Sequence, residues 1–264
     1  MSFVDGILRR LGIRISRFQA SPYEYLFDAP RYTEMTLDLA GVPFKIADAK
    51  SFYHSFREIF YDRIYEFRSS SEQPLIIDCG SNCGASVVYF KSIYPQCRIV
   101  AVEADPKIFN RLEWNVKQRG YSDIVLINKA VSVGSSPVYF YQDGADCGRI
   151  RQVDGCEGVI EIEVVHLDDL IDGQVDFLKM DIEGAEAESI ISSKKLDRVR
   201  QCFIEYHSFK DSPQVLDSIL KKLTASGFRY YIHKQFCSPR PLKEEKLRLG
   251  MDMQLNIFAK KVGI

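Results

Sequence analysis

Five short stretches place polar side chains where apolar runs end: Asp78-Cys79-Gly80, Glu103-Ala104-Asp105, Asn128-Lys129, Lys179-Met180-Asp181 and Glu205-Tyr206-His207. The first belongs to IIDCGSNCGAS, residues 76–86, in which an acid and two glycines follow the run Leu75-Ile76-Ile77 directly. Glycines at such a turn let a ligand approach the backbone, and the free N–H groups of a following helix face electron-rich groups. Glu103 comes 23 residues after Gly80, a spacing at which a carboxylate on the next strand accepts hydrogen bonds from both hydroxyls of a ribose. Asp181, Glu183, Glu205 and His207 add carboxylates and an imidazole, groups that take a proton from a hydroxyl nucleophile. Asp181, Glu183 and Glu205 are also an oxygen donor set for Mg²⁺, which would acidify that hydroxyl instead.

The elements that must position these residues follow from the hydrophobic pattern. From residue 74 the chain alternates strand and helix: PLIIDCG, a helix from about 84, CRIVAVEA, a helix from about 106 to 119, then DIVLINKAV. SPVYFY and VIEIEVV read as shorter strands bracketing a loop at 142–158. VDFLKMD, a helix from about 184, VRQCFIEYH, a helix from about 213 to 225, FRYYIHK and LNIFAKK complete the order. Alternation of this kind predicts an α/β fold with a mostly parallel sheet, whose ligands bind beyond the carboxyl ends of the strands. The five stretches lie at those ends.

Ahead of this domain, assigned to 71–264, residues 1–70 read as an extension. Val4, Ile7, Leu8, Leu11, Ile15 and Phe18 share one helical face, with four arginines elsewhere; this is a terminal helix packed on the protein, with peripheral membrane contact as the alternative. EMTLDLAGVPFKIAD alternates around Ala40-Gly41 as a hairpin, and residues 51–67 carry aromatic and aliphatic residues at helical spacing.

The 264 residues, 46% hydrophobic and 27% charged, suffice for one large core plus a small extension. A formal net charge of −1 provides no global basic field for nucleic acid or anionic membranes. No apolar run reaches the length of about 18 residues that a spanning helix needs, and no secretory leader is expected. Seven scattered cysteines read as reduced thiols, which predicts a cytoplasmic protein. Cys79 and Cys83 read as small residues fitting a tight turn rather than zinc ligands, since no second close pair accompanies them.

Gly-x-Gly-x-x-Gly is not met, because three residues separate Gly80 from Gly84. This spacing disfavours a nicotinamide dinucleotide, which needs close backbone approach to a pyrophosphate. S-adenosylmethionine carries no phosphate, and an acid ahead of the first glycine suits its aminocarboxypropyl group. In order and spacing, IIDCGSNCGAS, VAVEADPKIFNRLEWNV, INKAV, VVHLDDL, VDFLKMDIEGAEAESI and CFIEYHS resemble the FkbM family of S-adenosylmethionine-dependent methyltransferases. The resemblance runs from about residue 74 to 208, and KMDIEGAE is its most specific element.

The resemblance implies a Rossmann-like class I fold, a seven-stranded sheet with an antiparallel last strand, and methyl transfer to a hydroxyl of a sugar, glycan or secondary metabolite. By position, Asp78, Gly80, Ser81, Asn82 and Gly84 would hold the methionine end, Glu103 the ribose, and Ala104 and Asn128 the adenine. Asp181 would serve cofactor or acceptor, with Asp181, Glu183 and His207 as the catalytic set. Nucleic-acid acceptors fit less well, because MDIE stands where amino-methylating enzymes carry an Asn/Asp-Pro-Pro-aromatic strand end. A methyltransferase fold kept as a binding module is the non-enzymatic alternative.

Overall fold

The structure, a computed structural model, describes residues 22–134, 137–141, 149–151 and 159–262. The expected N-terminal helix and most of the 142–158 stretch lie outside these residues. The hairpin forms as the alternation predicts, β1 (Met35–Leu39) pairing antiparallel with β2 (Val42–Ile46). Its two turn residues, Ala40 (φ 59°) and Gly41 (φ 80°), are both left-handed, as a two-residue hairpin turn requires. Next comes α1 (Ala49–Phe56), capped by Asp48, whose carboxylate accepts from the Ser51 N–H at 2.9 Å.

The single helix expected over 51–67 is shorter. It ends as a π-helical turn at Arg57–Tyr61, and Arg63 turns left-handed at φ 57°. The wider turn keeps Phe56, Ile59 and Phe60 buried together, and the break at Arg63 frees Tyr65 and Phe67 to lie on the sheet.

The central domain runs β3 (Leu75–Cys79), α2 (Ala85–Ile93), β4 (Arg98–Val102), α3 (Pro106–Gln118), β5 (Ile124–Ile127) and β6 (Ala130–Val131). It continues with β7 (Val138–Tyr141), β8 (Arg149–Arg151), β9 (Val159–Ile162), β10 (Val164–Val165), α4 (Leu167–Leu170) and β11 (Val175–Met180). It closes with α5 (Glu186–Ser192), β12 (Val199–Phe209), α6 (Leu216–Ala225), β13 (Phe228–Cys237) and β14 (Met251–Lys261). A seven-stranded sheet has the order β13-β14-β12-β11-β3-β4-β5, in which β14 is antiparallel to both neighbours and the pairs from β12 to β5 are parallel. This is the expected class I methyltransferase architecture.

Three details differ from the sequence reading. The stretch read as a loop at 142–158 contains β8, which joins β7 and β9 in a small antiparallel sheet. DIVLINKAV and VIEIEVV each break in two, because β6 and β10 pair with each other and leave the main sheet. The strand β12 continues to Phe209, so Glu205 and His207 lie within it, and their i, i+2 spacing puts them on one face.

Both faces of the sheet are covered. Val87, Phe90, Ile108 and Leu112 of α2 and α3 share a core with the N-terminal elements and with Ile76, Phe177 and Phe203. On the opposite face, Ala187, Ile190, Ile219 and Leu223 of α5 and α6 pack on Ile77, Leu178, Cys202 and Ile204. Strict alternation along β11 therefore sends Phe177 and Lys179 towards the N-terminal elements and Leu178 and Met180 the other way. Cys79 and Cys83 join opposite cores and do not form a ligand pair; burial pushes the Cys83 thiol up to about 12.

Candidate active site

The carboxyl ends of β3, β4, β11 and β12 open onto a crevice of about 220 Å³, whose far wall is formed by α1 and the π-turn through Ser55, Glu58 and Ile59. Gly80 begins the turn after β3 with φ +83°, and a Cβ there would stand 1.7 Å from the Asp181 carbonyl oxygen. The turn after β3 and the turn after β11 therefore touch through bare backbone, which only glycine permits. Gly84 is left-handed (φ +93°), and a Cβ there would stand 2.8 Å from Leu112 Cδ1 of α3, which would have to shift.

Lys179 was passed over in the sequence, and it sits at the centre of the floor. Its Nζ is 3.4 Å from Asp78 Oδ1 and 3.3 Å from Asp181 Oδ2, and it donates to the Gly80 carbonyl at 2.8 Å. Burial pulls its pKa down, but Asp181 and Asp78 outweigh that and hold it well above the ordinary lysine value, so it is a fixed cation. The Tyr65 ring lies 5.5 Å from the ammonium. The available signal was a lysine alternating onto the buried face of FLKMD, where an unpaired charge cannot stay.

Glu103 accepts from the Asn82 N–H and the Asp105 N–H, both at 2.9 Å. These bonds point the carboxylate across the mouth of the β3 turn. Burial raises its pKa to about 7 despite both bonds. Asn128 braces the same corner from behind, its amide donating to the carbonyls of Glu103 at 2.8 Å and Ala104 at 3.0 Å.

Beyond Lys179 the crevice becomes acidic. Glu183 (φ 58°) and Gly184 (φ 115°) form a left-handed turn that delays α5 to Glu186. The buried Glu186 carboxylate holds this turn, accepting from Ile182 N–H at 2.9 Å and Gly184 N–H at 3.0 Å. It also accepts from His207 Nδ1 at 3.0 Å, while His207 Nε2 faces Glu183 at 3.5 Å. Burial lowers the imidazole pKa, yet Glu183 and Glu186 dominate and push it well above the ordinary value. The expectation that His207 serves as base meets this geometry: Nδ1 faces Glu186, Nε2 faces Glu183, and the ring does not line the crevice.

Asp181, Glu205 and His207 bring ligand atoms within 4.8 Å of one another. The set differs from the Asp181, Glu183 and Glu205 expected for Mg²⁺. It suits that ion poorly, because Mg²⁺ takes oxygen donors in octahedral array and one corner of this set is an imidazole nitrogen.

The structure brings Gly80, Ser81, Asn82, Glu103, Ala104, Asp181 and Glu183 to the crevice wall. Asp78, Gly84, Asn128 and His207 stand behind it. Asp78 is 0% exposed, accepting from Ser86 Oγ at 2.6 Å, with Oδ1 towards Lys179 at 3.4 Å. Residues that the sequence reading missed, Glu58, Gln235 and Gln254, complete the acidic end. Nothing local marks them, since they arrive from the π-turn, β13 and β14.

A family model described as the methyltransferase FkbM domain matches residues 78–230. Among curated proteins the chain is similar to methyltransferase sdnD of Sordaria araneosa, 26% identical over 191 residues that cover 57% of this chain and 73% of that protein. It is also similar to 2-O-methyltransferase NoeI of Sinorhizobium fredii, 27% identical over 156 residues, 50% of this chain and 63% of that protein. Among solved structures it is similar to an FkbM methyltransferase from Methylobacillus flagellatus KT, at 18% identity and TM-score 0.47, covering 76% of this chain and 47% of that one. Another is M. jannaschii TYW2 in complex with AdoMet, at 15% identity and TM-score 0.45, covering 88% and 87%. The family match takes in all of the turn, ribose-corner and acidic-end residues from Asp78 to His207, and the chain belongs to the FkbM methyltransferase family.

Proposed function

We propose that the protein is an S-adenosylmethionine-dependent O-methyltransferase acting on a hydroxyl of a sugar, glycan or small metabolite. The observation that carries this reading is the pairing of two unlike halves in one crevice: the Gly80 turn with the Glu103 carboxylate, and an acceptor end walled by carboxylates and amides. The donor set at the first half fits S-adenosylmethionine, since a half-buried carboxylate accepts from vicinal hydroxyls and the bare Gly80 backbone leaves room for the methionine end. Gly80, Ser81 and Asn82 would hold that end, Glu103 the ribose and Ala104 the adenine edge, and the cofactor would supply an already activated methyl group. Asp181, fixed by Lys179, would orient the acceptor between the halves. Methyl transfer of this kind needs mainly alignment of the reacting atoms and a place for the proton.

Glu58, Glu205, Gln235 and Gln254 supply several hydrogen-bond acceptors and donors in one pocket, which suits a polyhydroxylated acceptor. At this end the four carboxylates Glu58, Asp181, Glu183 and Glu205 outnumber Lys179 and Arg248, which disfavours the phosphates of nucleic acid and favours a small molecule or glycan. Unpaired thiols at Cys79, Cys83, Cys97, Cys202 and Cys237 support a cytoplasmic setting. No helix among the described residues is long and apolar enough to cross a membrane.

Calorimetric titration tests the cofactor assignment. S-adenosylmethionine and S-adenosylhomocysteine should bind and NAD should not; tight binding of NAD alone would refute the reading. Binding without transfer to any hydroxyl would leave the binding-module alternative. Glu103→Gln should cost roughly 1.5–3 kcal/mol of cofactor affinity, the scale of hydrogen bonds to a charged group. The wild-type affinity should also rise with pH up to about 7 and then level off, because hydroxyl donors favour the ionised carboxylate and the free protein holds it protonated below that value. The Gln variant should lose this slope. An unchanged slope would place the ribose elsewhere.

A further inference from the structure

Four carboxylates face the acceptor end: Glu58 from the π-turn, Asp181 and Glu183 from the turn after β11, and Glu205 from β12. Two of them are already paired with basic side chains. Asp181 is ion-paired with the fixed ammonium of Lys179 at 3.3 Å, and Glu183 faces the imidazolium of His207 at 3.5 Å. Glu58 accepts from the Gln235 amide on the opposite wall, within the field of Arg248. Glu205, like Glu58, is held by a neutral donor, here the Gln254 amide of β14, and among the described residues no lysine or arginine stands at ion-pair distance from it. It stands beside Asp181, since Met180 pairs with Ile204 across the two strands, and it lines the crevice where His207 does not.

Resting on the O-methylation reading above, we propose that Glu205 is the catalytic base, its carboxylate taking the proton of the acceptor hydroxyl. As the acceptor oxygen forms its bond to the methyl carbon, the sulfur–methyl bond breaks with its electron pair left on sulfur. The hydroxyl proton passes to a Glu205 oxygen, and the step balances without a further reactant. The surroundings support the assignment. Burial first, then the charges of Asp181, Glu183 and Glu58, raise the Glu205 pKa well above the ordinary glutamate value, and the His207 imidazolium draws it back. Lys179 is also near it, Arg248 lines the same crevice, and Gln254 is uncharged. A carboxylate whose pKa is raised in this way is intrinsically a stronger proton acceptor than an ordinary one. His207 then acts as a positioning residue that limits the shift.

Two measurements test this. In a ¹³C-carboxyl NMR titration of the free protein, the signal lost in Glu205→Gln should titrate well above the ordinary value of about 4.3; an ordinary titration would overturn the proposal. In the second, wild type and variants are given labelled S-adenosylmethionine and a panel of methyl pyranosides. Glu205→Gln, which keeps the side chain's shape, should lose roughly 10²- to 10⁴-fold in kcat with KM and S-adenosylhomocysteine affinity little changed. Glu205→Asp should recover part of the loss and shift the acid limb of the pH profile. Wild-type turnover with full activity in Glu205→Gln overturns this proposal alone. Cofactor binding with no wild-type transfer to any pyranoside overturns the O-methylation reading, and this one with it.

Discussion

Gly80→Ala is expected to lose both stability and cofactor binding, with the melting transition lowered and no heat of S-adenosylhomocysteine binding detected. Two costs combine. The left-handed backbone at φ +83° costs a non-glycine residue about 1–2 kcal/mol. The new methyl group would also stand 1.7 Å from the Asp181 carbonyl oxygen, and main chain cannot rotate away as a side chain would. Moving the two turns apart adds overpacking strain of about 1–3 kcal/mol. Moreover, the shift displaces Asp181 and breaks the Lys179 to Gly80 contact, so the crevice deforms at its centre. Gly120→Ala supplies the control: Gly120 is left-handed too, at φ +62°, but nothing lies within 4 Å of its would-be Cβ. It should show only the conformational cost and bind normally. Equal effects at the two positions would show that close approach of the turns does not matter.

Lys179→Met should cost about 3–5 kcal/mol in denaturant unfolding at neutral pH, the usual result of removing one partner from a buried ionic group. The methionine replaces the aliphatic stem, so the loss is electrostatic. Asp78 is 0% exposed with Oδ1 facing only the ammonium, and its charge would be left without compensation. The same variant should lose transfer activity, because Asp181 is no longer anchored. The double variant Lys179→Met with Asp78→Asn separates the two consequences. It should recover most of the stability, since a neutral amide no longer requires a counter-charge, while activity stays low. A single-variant loss below about 1 kcal/mol would mean that water reaches this cluster and screens it.

These variants also mark where the sequence could be read and where it could not. The order of strands and helices from Leu75 to Lys261 is written in local patterns: apolar runs ended by polar residues, helical spacing between them, and glycine where a turn needs it. Hydrophobic patterning acts over a few residues, so fold class and the position of the crevice at Asp78, Glu103 and Asp181 were legible. The Gly80 turn and the Glu103 corner were legible for the same reason, each being a strand end beside its own loop. Register decides the rest. Lys179 meets Gly80 across 99 residues of chain and Glu58 meets Gln235 across 177. No local pattern reports such pairings, because they depend on which strands become neighbours and on how the π-turn rotates its side chains inward. Protonation is more remote still: it sums burial and every nearby charge. The sequence alone placed Glu205 and His207 on one strand, with His207 as the expected base and Glu205 as a carboxylate of an alternative Mg²⁺ set. Only the tertiary structure, by closing Glu183 and Glu186 around His207 and leaving Glu205 to a neutral amide, decided which of the two is enclosed by carboxylates and which lines the crevice.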